Sequence, residues 1–152
     1  MSTTTPTAYV APDEGAHHLM PDGDHVAKAT VRDSEGAFEL FEIRAVAGPP
    51  VPQHASPWSG VLYVLEGTVA AVVDGTSYQV PPGGLVTMPA GVPCTFAVDG
   101  DEARFLAVTT GDGAGRFFAE AAAAMTPGVP LEEAMATIAE VNARHGVALD
   151  PI

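Results

Sequence analysis

Two side chains with reactive chemistry stand in the chain's most apolar stretches. His54 lies within Gly48-Pro-Pro-Val-Pro-Gln-His54-Ala-Ser56-Pro-Trp58-Ser-Gly60-Val-Leu-Tyr63-Val-Leu-Glu66-Gly67. Cys94 lies within Gly83-Gly-Leu-Val-Thr-Met88-Pro89-Ala-Gly91-Val-Pro-Cys94-Thr-Phe96-Ala-Val98. An imidazole titrates near neutrality, so His54 could move a proton as general acid or base; equally, it could be a hydrogen-bonded filler of the interior. Cys94 could be a nucleophile beside that base, or a small apolar wall residue, as buried free thiols usually are. Glu42 is the third candidate, since a buried carboxyl with a raised pKa can give or take a proton. It shares a strand face with Phe38, Leu40 and Arg44 by the period of two, and that face turns either inward or to solvent. His17, His18 and His25 fall in a Pro/Gly-rich lead-in and read as surface histidines.

The elements that must position these groups are short strands. Apolar runs at His25–Val31, Ala37–Val46, Val61–Leu65, Val69–Val73, Ser77–Val80, Leu85–Met88, Cys94–Val98 and Ala103–Val108 are separated by Gly, Pro and Asp turns. Asp74-Gly75 between two such runs is a two-residue hairpin signal. Eight strands at this spacing predict an antiparallel sandwich or barrel. The sequence divides into an irregular lead-in over 1–23, the strand-rich body over 24–110 and a helical segment over 111–152 packed on it. In the last, Gly111–Gly115 reads as a flexible connector, Arg116–Met125 as one helix and Leu131–His145 as a better one. Glu132 and Glu133 open that second helix, and Arg144, His145 and Gly146 close it, as dipole and C-cap rules prefer. Met125 and Met135 read as packing residues, with a soft ligand surface as the alternative. Met1 to Thr7 is polar and reads as a mobile start.

At 152 residues with 47% apolar side chains, the chain is one domain's length and able to bury a core. A net charge of −13 with only six Lys and Arg argues against nucleic acid and anionic membranes as partners. No apolar run reaches the length of a membrane span, and the Thr-rich start is not a secretory signal. The single cysteine suits a reducing compartment, so a cytoplasmic location is expected.

The spacing of these residues resembles the two motifs of the cupin superfamily. Gly48, His54 and Gly67 fall on the marks of the first motif, while Ser56 and Gly60 hold the places of its second His and its Glu. Gly83, Pro89 and Gly91 match the second motif, with Cys94 in place of its His and Val98 in place of its Asn. The segment from His54 to Gly67 looks like that of small quercetin-dioxygenase-like cupins. The resemblance implies an all-β fold: an antiparallel cupin-type β-barrel (jelly roll) with a short C-terminal helical tail. It also implies a homodimer, and aromatic or polyketide substrates. A cupin metal site would need three protein ligands. His54 and Cys94 are what remain at the family positions, so no metal and no other cofactor is expected, with His17, His18 or His25 the remaining route to one.

If Gly60 faces the barrel cavity, strand alternation turns Leu62 and Val64 inward too, and Cys94 brings Phe96 with it. With Ser56 and Trp58 near the mouth and Met88 near the second turn, these would line an apolar small-molecule pocket; otherwise they simply fill the core. The expected function is a metal-independent enzyme that binds a hydrophobic, polyketide-like or aromatic molecule. His54 and Glu42 would be its catalytic groups, and Phe38, Leu40 and Arg44 would complete its binding wall. The reaction would be a cyclisation, isomerisation or related rearrangement. The alternatives are a non-catalytic binding protein and, third, a dioxygenase with atypical metal ligands.

Overall fold

The computed structural model describes residues 8–125 and 128–149. Met1 to Thr7, read above as mobile, lies outside the described residues, as do Thr126 and Pro127. Nine strands and two helices follow one another: β1 (Ala16–Met20), β2 (Gly23–Asp33), β3 (Gly36–Val46), β4 (His54–Ala55), β5 (Gly60–Val73), β6 (Thr76–Val80), β7 (Leu85–Met88), β8 (Cys94–Thr110), α1 (Gly113–Ala124), α2 (Leu131–Arg144) and β9 (Ala148–Leu149). Among the described residues the strand pairings are antiparallel, in the order β1-β2-β3-β8-β4-β9, with β5 joining β6, β7 and β8. The sheet curls on itself into a half-barrel of jelly-roll type, and the two helices follow at its C-terminal end.

The curl depends on β5 and β8, each longer than its sequence pattern implies. Glu66-Gly67 and Asp99-Gly100 read as turns, but the chain continues extended through both. The pairing register of β5 on β8 shifts around Glu66 instead. Inward-facing residues are even-numbered before the shift (Leu62, Val64) and odd-numbered after it (Val69, Ala71). In β8 the parity also changes, from Cys94 and Phe96 to Ala103, Phe105 and Ala107. A bulge of this kind bends a strand and increases its twist, so each long strand serves both halves of the curled sheet. Gly67 makes the bulge possible. Its φ is +78°, and a Cβ there would run into the Glu102 carbonyl oxygen and lie 2.9 Å from Ala103 Cα. The Asp74-Gly75 hairpin forms as its sequence predicts, with both residues at positive φ.

The core is the concave face of this sheet. Phe41, Ile43, Leu62, Val64, Val69, Ala71 and Phe105 form one buried cluster. Ala114 of α1 joins it, and Phe118 packs against it edge-on to Phe41 at 5.1 Å. The lead-in is more regular than its composition implies: Ala16–Met20 pairs with β2. Gly113–Gly115, read as connector, is instead the first turn of α1. Helix α2 ends as its sequence predicts, with Gly146 at φ +72°, its N–H donating to Ala143 O and that of Val147 to Asn142 O. Its buried side is Ala134, Val141 and Asn142, whereas Met135 is exposed and so does not pack on the barrel. Among the described residues no helix is long and apolar enough to cross a membrane.

Candidate functional site at the covered barrel mouth

The inward face of β3 carries Glu39, Phe41, Ile43 and Ala45, all buried. The opposite alternation, with Phe38, Leu40, Glu42 and Arg44, faces outward, and this corrects the inward placement of those four residues. Phe38 is 45% exposed. Glu42 accepts from Arg44 Nε at 3.3 Å and Arg104 Nη1 at 3.4 Å, while Arg44 also pairs with Asp13. These charges line an outer groove with Tyr9, Pro12 and Lys28. The physical reason is hydrophobic: three core residues commit the odd-numbered face inward, and Glu42 follows its own parity out.

Glu39 is therefore the carboxylate inside the barrel, and the apolar pattern of its own face already held that signal. Its Oε2 accepts from Thr30 Oγ1 at 2.9 Å and its Oε1 from the Gly115 N–H at 2.9 Å. Gly115 is the third residue of α1, so Glu39 takes the bond that an N-cap side chain would take. Asp112, at the N-cap, makes no such bond; it pairs with Arg32 at 2.7 Å and Arg116 at 3.0 Å, which holds its carboxyl below the usual range. Cross-strand partners extend this level across the inner face in a row: Thr30, Glu39, Thr109, Gly60 and Met88.

His54 and Cys94 are direct partners across β4 and β8, and Cys94 also faces Val73 of β5. Directly opposed residues share a face, so these three project together. His54 Nδ1 lies 2.8 Å from Pro52 O. A carbonyl oxygen only accepts, so Nδ1 carries a proton, and the nitrogen left to act as a base is Nε2. Cys94 is 5% exposed, and burial pushes its thiol up from the usual range. A thiol held protonated is a poor nucleophile, which favours its wall role.

Of the other expected site residues, Leu62 and Val64 are buried in the core, and Trp58, Met88 and Phe96 pack against it. Phe96 meets Phe105 edge-on at 5.7 Å. Ser56 stands between β4 and Trp58, its carbonyl accepting from Gly91 N–H at 2.9 Å. Over them runs a chain of rings that joins Trp58 to Phe117 and Phe118, two residues the sequence pattern did not single out. Trp58 lies 5.8 Å from Phe117, Phe117 lies 5.5 Å from Phe118, and Phe118 reaches Phe41. His145 flanks Phe117 at 5.8 Å, and α2 is tied to α1 by Arg144 and Glu120 at 2.9 Å. Helix α1 thus covers the mouth of the barrel with aromatic side chains.

The lead-in histidines separate. His17 is exposed and bonded to Asp24 at 2.6 Å, and that bond raises its pKa. His18 is half-buried, and burial lowers its pKa. His25 is 3% exposed, which overturns its surface reading: it faces inward opposite Ile43, with its ring 4.8 Å from Phe118. Its Nε2 lies 3.2 Å from Asp22 Oδ2. Burial drives both groups toward their neutral forms, His25 down to about 4 and Asp22 up to about 6.

The residues at the family's ligand positions do not fit its metal. One imidazole, one protonated thiol, a serine and a glycine fall short of the three donors that a catalytic divalent site needs. Among the described residues no three His, Cys, Asp or Glu side chains are arranged to hold a metal ion.

A single antiparallel sheet curled into a half-barrel, with two short helices after it, is consistent with a cupin jelly-roll. The Cupin domain family model matches residues 41–109 of this chain. No curated protein sequence matches it. Similar solved structures include the polyketide cyclase RemF from Streptomyces resistomycificus, 24% identical over 70% of this chain and 81% of that one, with a TM-score of 0.59. KdgF from Halomonas sp. is 12% identical over 70% and 96%, with a TM-score of 0.61. Salicylate 1,2-dioxygenase from Pseudoaminobacter salicylatoxidans is 16% identical over 64% and 28%, with a TM-score of 0.53. At these identities the likeness is one of fold, and one fold serves many reactions.

Proposed function

We propose that this cupin is a metal-independent enzyme that binds a hydrophobic, polyketide-like or aromatic molecule inside the barrel and promotes its cyclisation or isomerisation. The observation that carries this reading is that only His54 remains of the family's donor set, with Ser56, Gly60 and Cys94 in place of the others, in a barrel whose wall and cover are aliphatic and aromatic. The similarity in fold to a polyketide cyclase supports the substrate class. An apolar barrel would hold a flexible chain in one folded conformer, which lowers the entropic part of a ring-closing barrier. His54 Nε2 would take a proton from a carbon between two carbonyls. The resulting enolate carbon would bond to a distant carbonyl carbon, and the proton would return to the new alkoxide oxygen. Atoms balance without an oxidant or a second substrate.

The test is to incubate chelator-treated protein with a synthetic linear aromatic poly-β-ketone and follow products by liquid chromatography and mass spectrometry. The expected product has the substrate's mass, or that mass less one water, and His54→Ala slows it by about 10²–10⁴-fold, the usual worth of a positioned acid-base group. Product formation that requires added metal would contradict the proposal. Binding without turnover is the second reading, favoured by the commitment of the interior carboxylate Glu39 to Thr30 and Gly115. Tight binding with no product would establish it.

A further inference from the structure

We infer that Thr109 forms a polar subsite inside the barrel that recognises a hydroxyl or carbonyl oxygen of the bound molecule. The inference rests on the small-molecule reading above and deepens it. Thr109 is 7% exposed, and its Oγ1 is buried with no hydrogen-bond partner among the described residues. A buried hydroxyl left unpaired is costly, and such groups in native proteins call for a partner that completes them. In the ligand-free protein the hydroxyl is closed off, so a partner would have to enter beside Gly60, where no side chain stands. On one side Thr109 faces Gly60, whose absent side chain vacates the inner surface. A Cβ at Gly60 would meet Val108 O at 3.3 Å and Thr109 Cγ2 at 3.5 Å and, beyond its chain neighbours, no other described atom within 4 Å. On the other side Thr109 faces Glu39, the interior carboxylate.

The chemistry of this row selects the ligand group. Thr109 Oγ1–H can donate to a ligand oxygen, and the Glu39 carboxylate, one strand away, can accept from a hydroxyl. A phenol, an enol or an alcohol matches both sides. Trp58 belongs to the same end of the barrel, its ring 3.5 Å from where a Cβ on Gly113 at the head of α1 would stand. An aromatic ring carrying one hydroxyl could therefore stack beside Trp58 and turn its oxygen to Thr109. A substrate hydrocarbon without such an oxygen would leave the threonine as unpaired as it is now.

Trp58 is the chain's only tryptophan, so its fluorescence reports on this site directly. The experiment compares 3-hydroxyflavone with flavone as probes, titrated into wild-type protein, Thr109→Val and Thr109→Ser. Wild type should bind the hydroxylated probe about tenfold more tightly, the worth of one buried hydrogen bond. Thr109→Val should abolish that preference while leaving flavone within about twofold, and Thr109→Ser should keep it. The ligand-free Thr109→Val protein should also melt at a higher temperature, because it loses an unpaired polar atom rather than a bond. If both probes bind wild type and Thr109→Val weakens them equally or not at all, the subsite is wrong although the pocket stands. A lower melting temperature of Thr109→Val would mean that the hydroxyl is already bonded, and would also overturn the subsite. If neither probe quenches Trp58, the aromatic-pocket reading fails and takes the subsite with it.

Discussion

Glu39 caps helix α1 from the far side of the fold: the Gly115 N–H donates to Glu39 Oε1 at 2.9 Å, across 76 positions of sequence. The bond ties the helix that covers the barrel mouth to the strand that forms its inner wall. Gly115 is required by that closeness, because a Cβ there would stand 2.7 Å from Glu39 Oε2. Gly115→Ala should gain up to about 1 kcal/mol of helix propensity. It should lose more by displacing a buried carboxylate from its partner, for a net loss of about 1–3 kcal/mol. In a Glu39→Ala background the obstacle is gone, and the same substitution should become stabilising. Chemical denaturation of the four proteins checks the change of sign.

Gly67 should be far less replaceable than Gly83, although both have positive φ. Gly67→Ala combines positive φ with a collision against the backbone of Glu102 and Ala103. A loss of more than about 2 kcal/mol is expected, since the whole bulge must shift. Gly83 has a similar φ of +86° with nothing within 4 Å of its Cβ position. Gly83→Ala should therefore cost only about 1 kcal/mol. Thermal unfolding of the pair separates strain from collision.

Glu42 lies outside the barrel with two arginines, so Glu42→Gln should leave probe affinity within about twofold and cost under about 1 kcal/mol of stability. Titration by Trp58 quenching measures the first, and urea unfolding the second. A large loss of affinity would return Glu42 to the site.

Asp22 and His25 give a pH dependence whose sign can be worked out. Asp22 is raised from 3.8 to about 6, so its contribution to stability is present below pH 3.8 and is lost as pH rises through 6. His25 is lowered from 6.5 to about 4, so its contribution is present above pH 6.5 and is lost as pH falls through 4. Between these limits the folded pair holds its proton on the acid, and the unfolded pair holds it on the imidazole. The proton counts match, and wild-type stability should vary little from this pair between pH 4.5 and 6. Asp22→Asn should expose the histidine's dependence and lose stability on acidification across that range. His25→Gln should expose the aspartate's and lose stability as pH rises. Urea unfolding at pH 4.5, 5.5 and 7 distinguishes all three.

Much of the architecture was legible in the sequence because strands with one buried face advertise themselves by alternation, and Gly48, Gly67, Gly83 and Gly91 stand at readable intervals. Leu85–Met88 and the Asp74-Gly75 hairpin formed as their patterns implied. The long strands did not, because a bulge changes parity in mid-strand and so resembles a turn when only periodicity is available. On β3 both alternations carry apolar and charged residues, and the pairing of Glu39 with a helix more than seventy residues away decides which acid is buried. His25 was misplaced for a related reason. Its lead-in looks irregular until β1 pairs with β2 and Phe118 closes over the ring. The aromatic cover of Phe117 and Phe118 lay in a helix recognised only as a tail.

Metal independence is tested most directly by the metal content of tag-free protein, by elemental mass spectrometry, after incubation with iron, manganese, nickel and zinc and removal of free ions. Less than about a tenth of an equivalent of any of them should remain bound, because His54 alone cannot replace a three-ligand set. A near-stoichiometric metal that His54→Ala releases would contradict it.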